Sequence, residues 1–278
     1  MNSPDLPIPL DRFVVRDSGL RRHYLDLGEG PVVVWLHGSG PGASGYSNFK
    51  GNYPAFAAAG FRNIVLDLPG FGRSDKPADV QYNLDFFVTS LNGLLQKIGV
   101  TKCTLLGNSL GGAIALQFAL DYPQMTEKLV LMAPGGLNAK EEYFQMPGMQ
   151  KMGQVFSSGQ AVTPEVMKDL FASSLMHDPR HATDALIAER MEIMQKMNSQ
   201  VMATMKVPEL TERLQEIKAP VLGFWGLNER MMPESGIMKL ARNTPDIRLV
   251  LVSNCGHWVM VEHQDMFNRM THDFLAHG

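Results

Sequence analysis

A chain of 278 residues, 45% hydrophobic and 19% charged, has the length for one large α/β domain with room for an insertion, and it can bury a substantial core. A formal charge of -3 gives no basic face for nucleic acid, and no segment approaches a membrane span. Two cysteines far apart, Cys103 and Cys255, argue against a disulfide framework, and Met1–Pro7 has no basic region followed by an apolar run, so a cytoplasmic location is expected.

Short, half-polar strands are predicted at Phe13–Arg16 and Arg22–Asp26, as befits the edge of a sheet. Pro31–Leu36 is a continuous apolar run, which suits a strand covered on both faces, and it leads into the glycine-rich turn His37–Gly42. A second buried strand, Asn63–Leu68, ends in the breaker-rich loop Pro69–Asp75. A helix over 84–98 follows, with Phe87, Leu91, Leu94, Leu95 and Ile98 at helical spacing. Cys103–Leu106 then forms a strand that turns through Gly107-Asn108-Ser109-Leu110-Gly111 into an alanine-rich helix, Gly112–Leu120. Lys128–Met132 is a further buried strand. Strands alternating with helices imply a parallel sheet with its functional loops at the carboxyl ends of the strands.

From Leu137 to Lys206 no buried strand is evident, methionines are frequent, and helical periodicity marks Glu165–Ser173 and Thr183–Met197. The expectation is a core of residues 1–136 and 207–278 with a helical cap of residues 137–206 over its rim. Methionine adapts to irregular shapes, so such a cap suits a bulky, largely apolar ligand, although the same methionines also suit an ordinary helical core. The sheet resumes at Ala219–Gly226 and Ile247–Val252, with helices near 234–241 and 264–275.

Gly-x-Ser-x-Gly between a strand and a helix is the arrangement that exposes a nucleophilic serine on a sharp turn. A serine hydroxyl needs a base to take its proton, and the base needs an acid to fix its tautomer. Ser109, Glu229 and His257 supply these in the chain order serine, acid, histidine, the last two in loops that follow buried strands. An oxyanion hole needs two backbone donors: the Leu110 N–H at the helix start is one, and the Gly38-Ser39-Gly40 turn supplies the other, assigned to Ser39, with Gly38 and Gly40 beside the substrate. No cluster has metal-ligand spacing, and the chemistry requires neither metal nor other cofactor.

The segments His37-Gly38-Ser39-Gly40-Pro41-Gly42-Ala43, Gly107-Asn108-Ser109-Leu110-Gly111-Gly112 and Cys255-Gly256-His257-Trp258, followed by Glu262-His263, resemble those of the meta-cleavage product hydrolases of the α/β-hydrolase superfamily. The resemblance implies an α/β-hydrolase fold: a mostly parallel eight-stranded sheet with a helical cap inserted after the sixth strand. It implies a small-molecule substrate, a 2-hydroxy-6-oxo-2,4-dienoate cut at a carbon–carbon bond, and a homo-oligomer. It further implies that Asn48 and Asn108 bind the dienol or dienolate, that Arg190 grips the substrate carboxylate, and that Trp258 lines the pocket. The chain departs from the family pattern in having Glu229 where aspartate is usual, Met231 in place of a nearby aromatic, and Tyr46 in place of a tryptophan. An ordinary carboxylester hydrolase with the same triad, or a ligand-binding protein on the same scaffold, are the other readings the residues allow.

Overall fold

The computed structural model describes residues 10–15, 19–198 and 200–277, so Met1–Pro7 and Arg16 lie outside the described residues. Strands β1 (Leu10–Val15), β2 (Arg21–Leu27) and β3 (Val32–Leu36) come first, then the short helices α1 (Gly45–Phe49) and α2 (Tyr53–Ala58) and strand β4 (Arg62–Leu66). They are followed by α3 (Leu84–Lys97), β5 (Cys103–Asn108), α4 (Leu110–Asp121) and β6 (Thr126–Met132). The chain is then helical through α5 (Lys140–Gln145), α6 (Pro147–Ser157), α7 (Pro164–Ser174), α8 (Asp184–Met194) and α9 (Gln200–Thr204). Strand β7 (Val221–Gly226), α10 (Ser235–Asn243), β8 (Ile247–Val252), α11 (Val259–Glu262) and α12 (Gln264–His277) complete it.

The sheet order is β1-β2-β4-β3-β5-β6-β7-β8, with β2 antiparallel to both its neighbours and every pair from β4 to β8 parallel. Chain order reverses direction between β3 and β5, so the loops after these two strands diverge and leave a crevice at the carboxyl edge. Helix α4 packs across the middle of the sheet and is buried from Leu110 to Ala119, which explains its lack of a polar face. Helix α3 begins where the Asn83 side chain accepts the Phe86 N–H at 2.9 Å, with Asp85 in its first turn and Lys97 in its last.

Periodicity places α3, α7 and the buried strands well, while α8 ends at Met194, three residues earlier than expected. Helices α1, α2, α5, α6 and α9 were not apparent from apolar spacing; α1, α5 and α9 are only five or six residues long. Two expectations fail. Strand β8, the strand before His257, is not buried but half exposed, because it is the last strand of the sheet and has β7 on one side only. Strand β2 is not an edge strand, since β1 covers it, and its polar residues Arg22 and His23 are buried. They are tolerated because distant groups meet them. Arg22 Nη1 donates to the Ser90 carbonyl at 2.7 Å, and His23 Nδ1 lies 2.7 Å from Asp67 Oδ2. Asp67 also accepts the N–H groups of Gly45 (2.7 Å) and Arg73 (2.8 Å), tying the start of α1 to the loop after β4.

Burial lowers the His23 pKa, but the hydrogen bond and charge of Asp67, helped by Asp11, raise it further, so it lies above its ordinary value. Burial opposes ionisation of Asp67, yet the bond and charge of His23 hold it below the usual carboxylate range. The stability from His23 is therefore complete below about pH 6.5 and is lost as pH rises through the raised value. That from Asp67 is present above about pH 4 and is lost as pH falls through the lowered value. Asp67→Asn is expected to lower the unfolding free energy by about 3 kcal/mol at pH 6, with the deficit shrinking in alkaline buffer, as read by urea denaturation across pH.

Candidate active site

Ser109 follows β5 with φ 56 and ψ −115, a left-handed conformation that L-residues other than glycine rarely hold. The close packing around it shows why the turn is so sharp. A Cβ on Gly107 would lie 2.3 Å from the Gly111 carbonyl oxygen, and one on Gly111 would lie 2.0 Å from that of Leu36. The serine carbonyl accepts the N–H groups of Ala113 (3.1 Å) and Gly135 (2.9 Å), anchoring the turn to α4 and to the segment after β6. Its hydroxyl makes no capping bond to α4.

Behind the serine, the turns after β7 and β8 form one unit. Leu227 N–H donates to the Val252 carbonyl and Asn228 N–H to that of Cys255, each at 2.8 Å, and a Cβ on Gly226 would strike the Gly256 oxygen at 2.1 Å. Glu229 Oε2 sits 2.6 Å from His257 Nδ1, and both side chains are at most 5% exposed. The extra methylene of glutamate is taken up by curling the side chain over its own turn. Glu229 Oε1 accepts the N–H groups of Arg230 (2.8 Å), Met231 (2.6 Å) and Met232 (3.3 Å). With the carboxylate on Nδ1, this network assigns the proton to that nitrogen and leaves Nε2 as the basic one.

Across the crevice, the turn after β3 is fixed by His37, which is wholly buried. Its Nδ1 lies 2.7 Å from the Gly38 carbonyl, and its Nε2 accepts the Leu68 N–H at 3.0 Å. Burial lowers its pKa to about 4, against the pull of Asp67, so the ring is neutral near pH 7. The turn approaches Ser109 closely, since a Cβ on Gly38 would lie 3.2 Å from both Ser109 Cβ and Asn108 Oδ1.

One cavity of about 720 Å³ opens between these loops and the helical insertion. Gly38, Ser39, Gly40, Asn48, Asn108, Ser109, Leu110, Arg190, His257 and Trp258 all line it, whereas Glu229 stands outside it behind His257. Met149, Met152, Met202, Met205, Met231 and Met232 form much of the remaining wall, while Met167 and Met176 are buried in the helical insertion itself. Tyr46 does not face the cavity; it is 45% exposed, and the Lys50 ammonium lies over its ring. Asn108 Nδ2 donates to the carbonyls of Met132 (3.2 Å) and His257 (3.4 Å), and its buried Oδ1 has no protein partner.

Arg190 is fully buried on α8, where amphipathic spacing alone suggests a solvated residue. Its guanidinium donates to the Pro41 carbonyl and to Asn48 Oδ1, lies 4.8 Å from the Trp258 ring centre and 5.4 Å from that of Phe171, and has no partner at Nε. Among the described residues no carboxylate pairs with it, because its neighbour Glu189 is bound to Lys50. Burial pulls its pKa down to about 9, with the Glu189 charge opposing, so it stays cationic at neutral pH. Phe171 and Pro41 were not apparent in sequence, since one looks like helix core and the other like loop punctuation. Gly42, at φ +64, lets this loop pack on α8, because a Cβ there would lie 2.0 Å from the Arg190 carbonyl oxygen.

Residues 31–264 match the family model for the alpha/beta hydrolase fold. The chain is 40% identical over 271 residues to 2-hydroxy-6-oxo-6-phenylhexa-2,4-dienoate hydrolase of Burkholderia cepacia, covering 94% of this chain and 93% of that protein. It is 39% identical, with the same coverage, to 2-hydroxy-6-oxononadienedioate/2-hydroxy-6-oxononatrienedioate hydrolase of Comamonas testosteroni. Among solved structures, a meta-cleavage product hydrolase of Pseudomonas fluorescens IP01 superposes with a TM-score of 0.83 at 26% identity, covering 95% of this chain and 97% of that one. The chain belongs to the α/β hydrolase fold family and, within it, to the meta-cleavage product hydrolases.

The close packing of the serine turn carries its own test. Gly111→Ala is expected to cost about 3 kcal/mol or more, or to prevent folding, because backbone rather than a flexible side chain blocks the new methyl group. Gly153→Ala, on α6 with open space around its Cβ position, is expected to be neutral or stabilising by up to about 1 kcal/mol. Thermal unfolding of the two variants beside the wild type checks both.

Proposed function

We propose that the protein hydrolyses the carbon–carbon bond beside the 6-oxo group of 2-hydroxy-6-oxo-2,4-dienoates, releasing a carboxylic acid and a 2-hydroxy-2,4-dienoate. The observation that carries this reading is Arg190, a buried cation paired with no carboxylate among the described residues, in the same cavity as Ser109 and His257. A substrate carboxylate supplies the missing counter-charge through paired hydrogen bonds, and Trp258 and Phe171 shield it from water. Such a cation is of no use to an enzyme of uncharged esters. The names of the relatives support the same substrate class.

The bond breaks only if the electrons it leaves behind spread into a conjugated carbonyl. The dienol is therefore first converted to a keto form by moving a proton from the 2-hydroxyl oxygen to carbon, with Asn48 and Asn108 beside the dienolate and His257 as proton carrier. Ser109, or water held at it, then attacks the 6-oxo carbon while His257 takes the proton. The N–H groups of Leu110 and Ser39 receive the oxyanion. Collapse of the adduct breaks the bond to the 6-oxo carbon, and the departing carbon takes the proton from His257, while an acyl group left on Ser109 is then hydrolysed by water whose proton passes through His257 to the serine oxygen. Glu229 holds the His257 tautomer and stabilises its charged form.

Residues 137–206 act as the cap over a core of 1–136 and 207–278. The thioethers of Met149, Met152, Met231 and Met232 support an aryl or bulky alkyl group on the 6-oxo carbon rather than a charged one. Lys140 and Lys206, on the same wall, are solvent-exposed and so screened. Two buried free cysteines support a cytoplasmic location, and Leu227, Met238 and Leu251, each about half exposed around the β8 edge, support self-association.

Decay of dienolate absorbance over a panel of ring-fission products tests the assignment. The 6-phenyl compound is expected to be consumed with higher kcat/KM than a 6-carboxyalkyl one. Ser109→Ala is expected to abolish turnover, and Glu229→Gln to lower kcat by roughly 10³-fold to 10⁴-fold in a folded protein. Arg190→Ala should reduce kcat/KM by about 100-fold, mainly through KM. Consumption of simple esters with the dienoates untouched makes the protein a carboxylester hydrolase, and stoichiometric capture without product makes it a binding protein.

A further inference from the structure

We infer that Glu262 is a positioning residue for His257, riveting the loop that carries the histidine to the cap. The inference rests on the proposed role of His257 as the base. Glu262 closes α11, stands outside the substrate cavity, and points its carboxylate at backbone from two parts of the chain. Its Oε1 accepts the Gly256 N–H at 2.7 Å and lies 3.9 Å from Cys255 Sγ. Its Oε2 accepts the N–H groups of His177 (2.7 Å) and Asp178 (2.9 Å), which follow α7 in the cap. From the other side the His257 N–H donates to the Leu175 carbonyl at 2.8 Å.

Gly256 is therefore held through the peptide on either side of it: Glu262 accepts the N–H of the Cys255–Gly256 peptide, and cap backbone accepts that of the Gly256–His257 peptide. There is no room for a side chain in this sandwich, since a Cβ on Gly256 would lie 2.7 Å from the Leu175 oxygen and 3.0 Å from the His177 nitrogen. Among the described residues, the groups bonded to the carboxylate are all donors. The Cys255 thiol belongs with them, because burial, followed by the charges of Glu262 and Glu229, pushes its pKa above the ordinary range and keeps its proton. A carboxylate presents two acceptors and satisfies both loops, whereas an amide presents one acceptor and turns its NH2 toward another donor. Glu262→Gln must therefore release either the histidine loop or the cap loop. Leu175 also lines the substrate cavity, so through Glu262 the seating of the cap and the aim of the base are one adjustment.

The test combines steady-state kinetics with labelling of Ser109 by a fluorophosphonate, in which the serine oxygen bonds to phosphorus, fluoride leaves, and His257 accepts the serine proton. In folded Glu262→Gln, kcat for the dienoate is expected to fall 10-fold to 100-fold with KM changed less than 3-fold, because the Arg190 and Asn48 contacts are untouched. The rate constant for labelling is expected to fall in the same proportion, while the final extent still reaches one label per chain. A purely structural role would lower the melting temperature or the final extent but leave the rate constant per labelled site at the wild-type value, and that result overturns the inference. Should Glu262→Gln not fold, Glu262→Asp, which keeps the charge but cannot span both loops, replaces it with the same two criteria. Loss of labelling in His257→Ala checks the base itself. If His257→Ala is labelled at the wild-type rate, the role of His257 fails, and with it the inference; if only Glu262→Gln is, Glu262 alone is excluded.

Discussion

The site depends on a contact between two stretches of backbone, the start of α4 and the end of β3. Gly111 comes so close to the Leu36 carbonyl that no side chain fits between them, and Gly107 meets the Gly111 carbonyl in the same way. These approaches bend the chain through Ser109 at a positive φ, and the bonds from Ala113 and Gly135 to the serine carbonyl keep it there. The strain sits in one residue and is held by the most buried part of the sheet, where local relaxation is costly. A turn of this kind on an edge strand would relax, so a serine held in it has to stand at the middle of the sheet.

Buried charge is managed in three different ways. Asp67 and His23 neutralise each other inside the protein and link the first strands to the loop after β4. Glu229 spends one oxygen on its own turn and the other on His257, so no freedom is left in the carboxylate. Arg190 has a guanidinium that, among the described residues, is held by neutral oxygens and aromatic faces, and in the proposed reaction its chemical complement is an anion from outside the chain. The first two arrangements hold the scaffold and the base in place. In the proposed reaction the third gives the cavity its selectivity.

Much of the fold was legible because its signals are local. The unbroken apolar run of β3 and the glycine spacing around Ser109 each fix their surroundings within a dozen residues. Ser109, Glu229 and His257 could be put forward from chain position alone, and the last two do meet. What remained hidden depends on partners far along the chain. Arg22 and His23 look like surface residues until Ser90 and Asp67 come into place beside them, and Phe171 looks like helix core until Arg190 lies over its ring. Glu262, followed by a histidine at the end of a short helix, has the local signature of a solvated charge. Two of its donors come from a turn 84 and 85 residues earlier, which no periodicity can reveal.

The fusion of the turns after β7 and β8 gives β6 an importance that its own side chains conceal. Glu229 and His257 ride on one stiff block, Ser109 rides on another, and β6 and β7 are the strands between the serine strand and β8. Strand β6 sends no side chain into the cavity, yet with β7 it sets a span of three strand spacings, about 14 Å, across which the serine and the histidine must be brought into line. It behaves as a gauge block in an instrument, inert in itself and fixing the gap between working parts. Core residues such as Leu129 and Leu131, remote from any substrate, are in that sense part of the tolerance to which the chemistry is built.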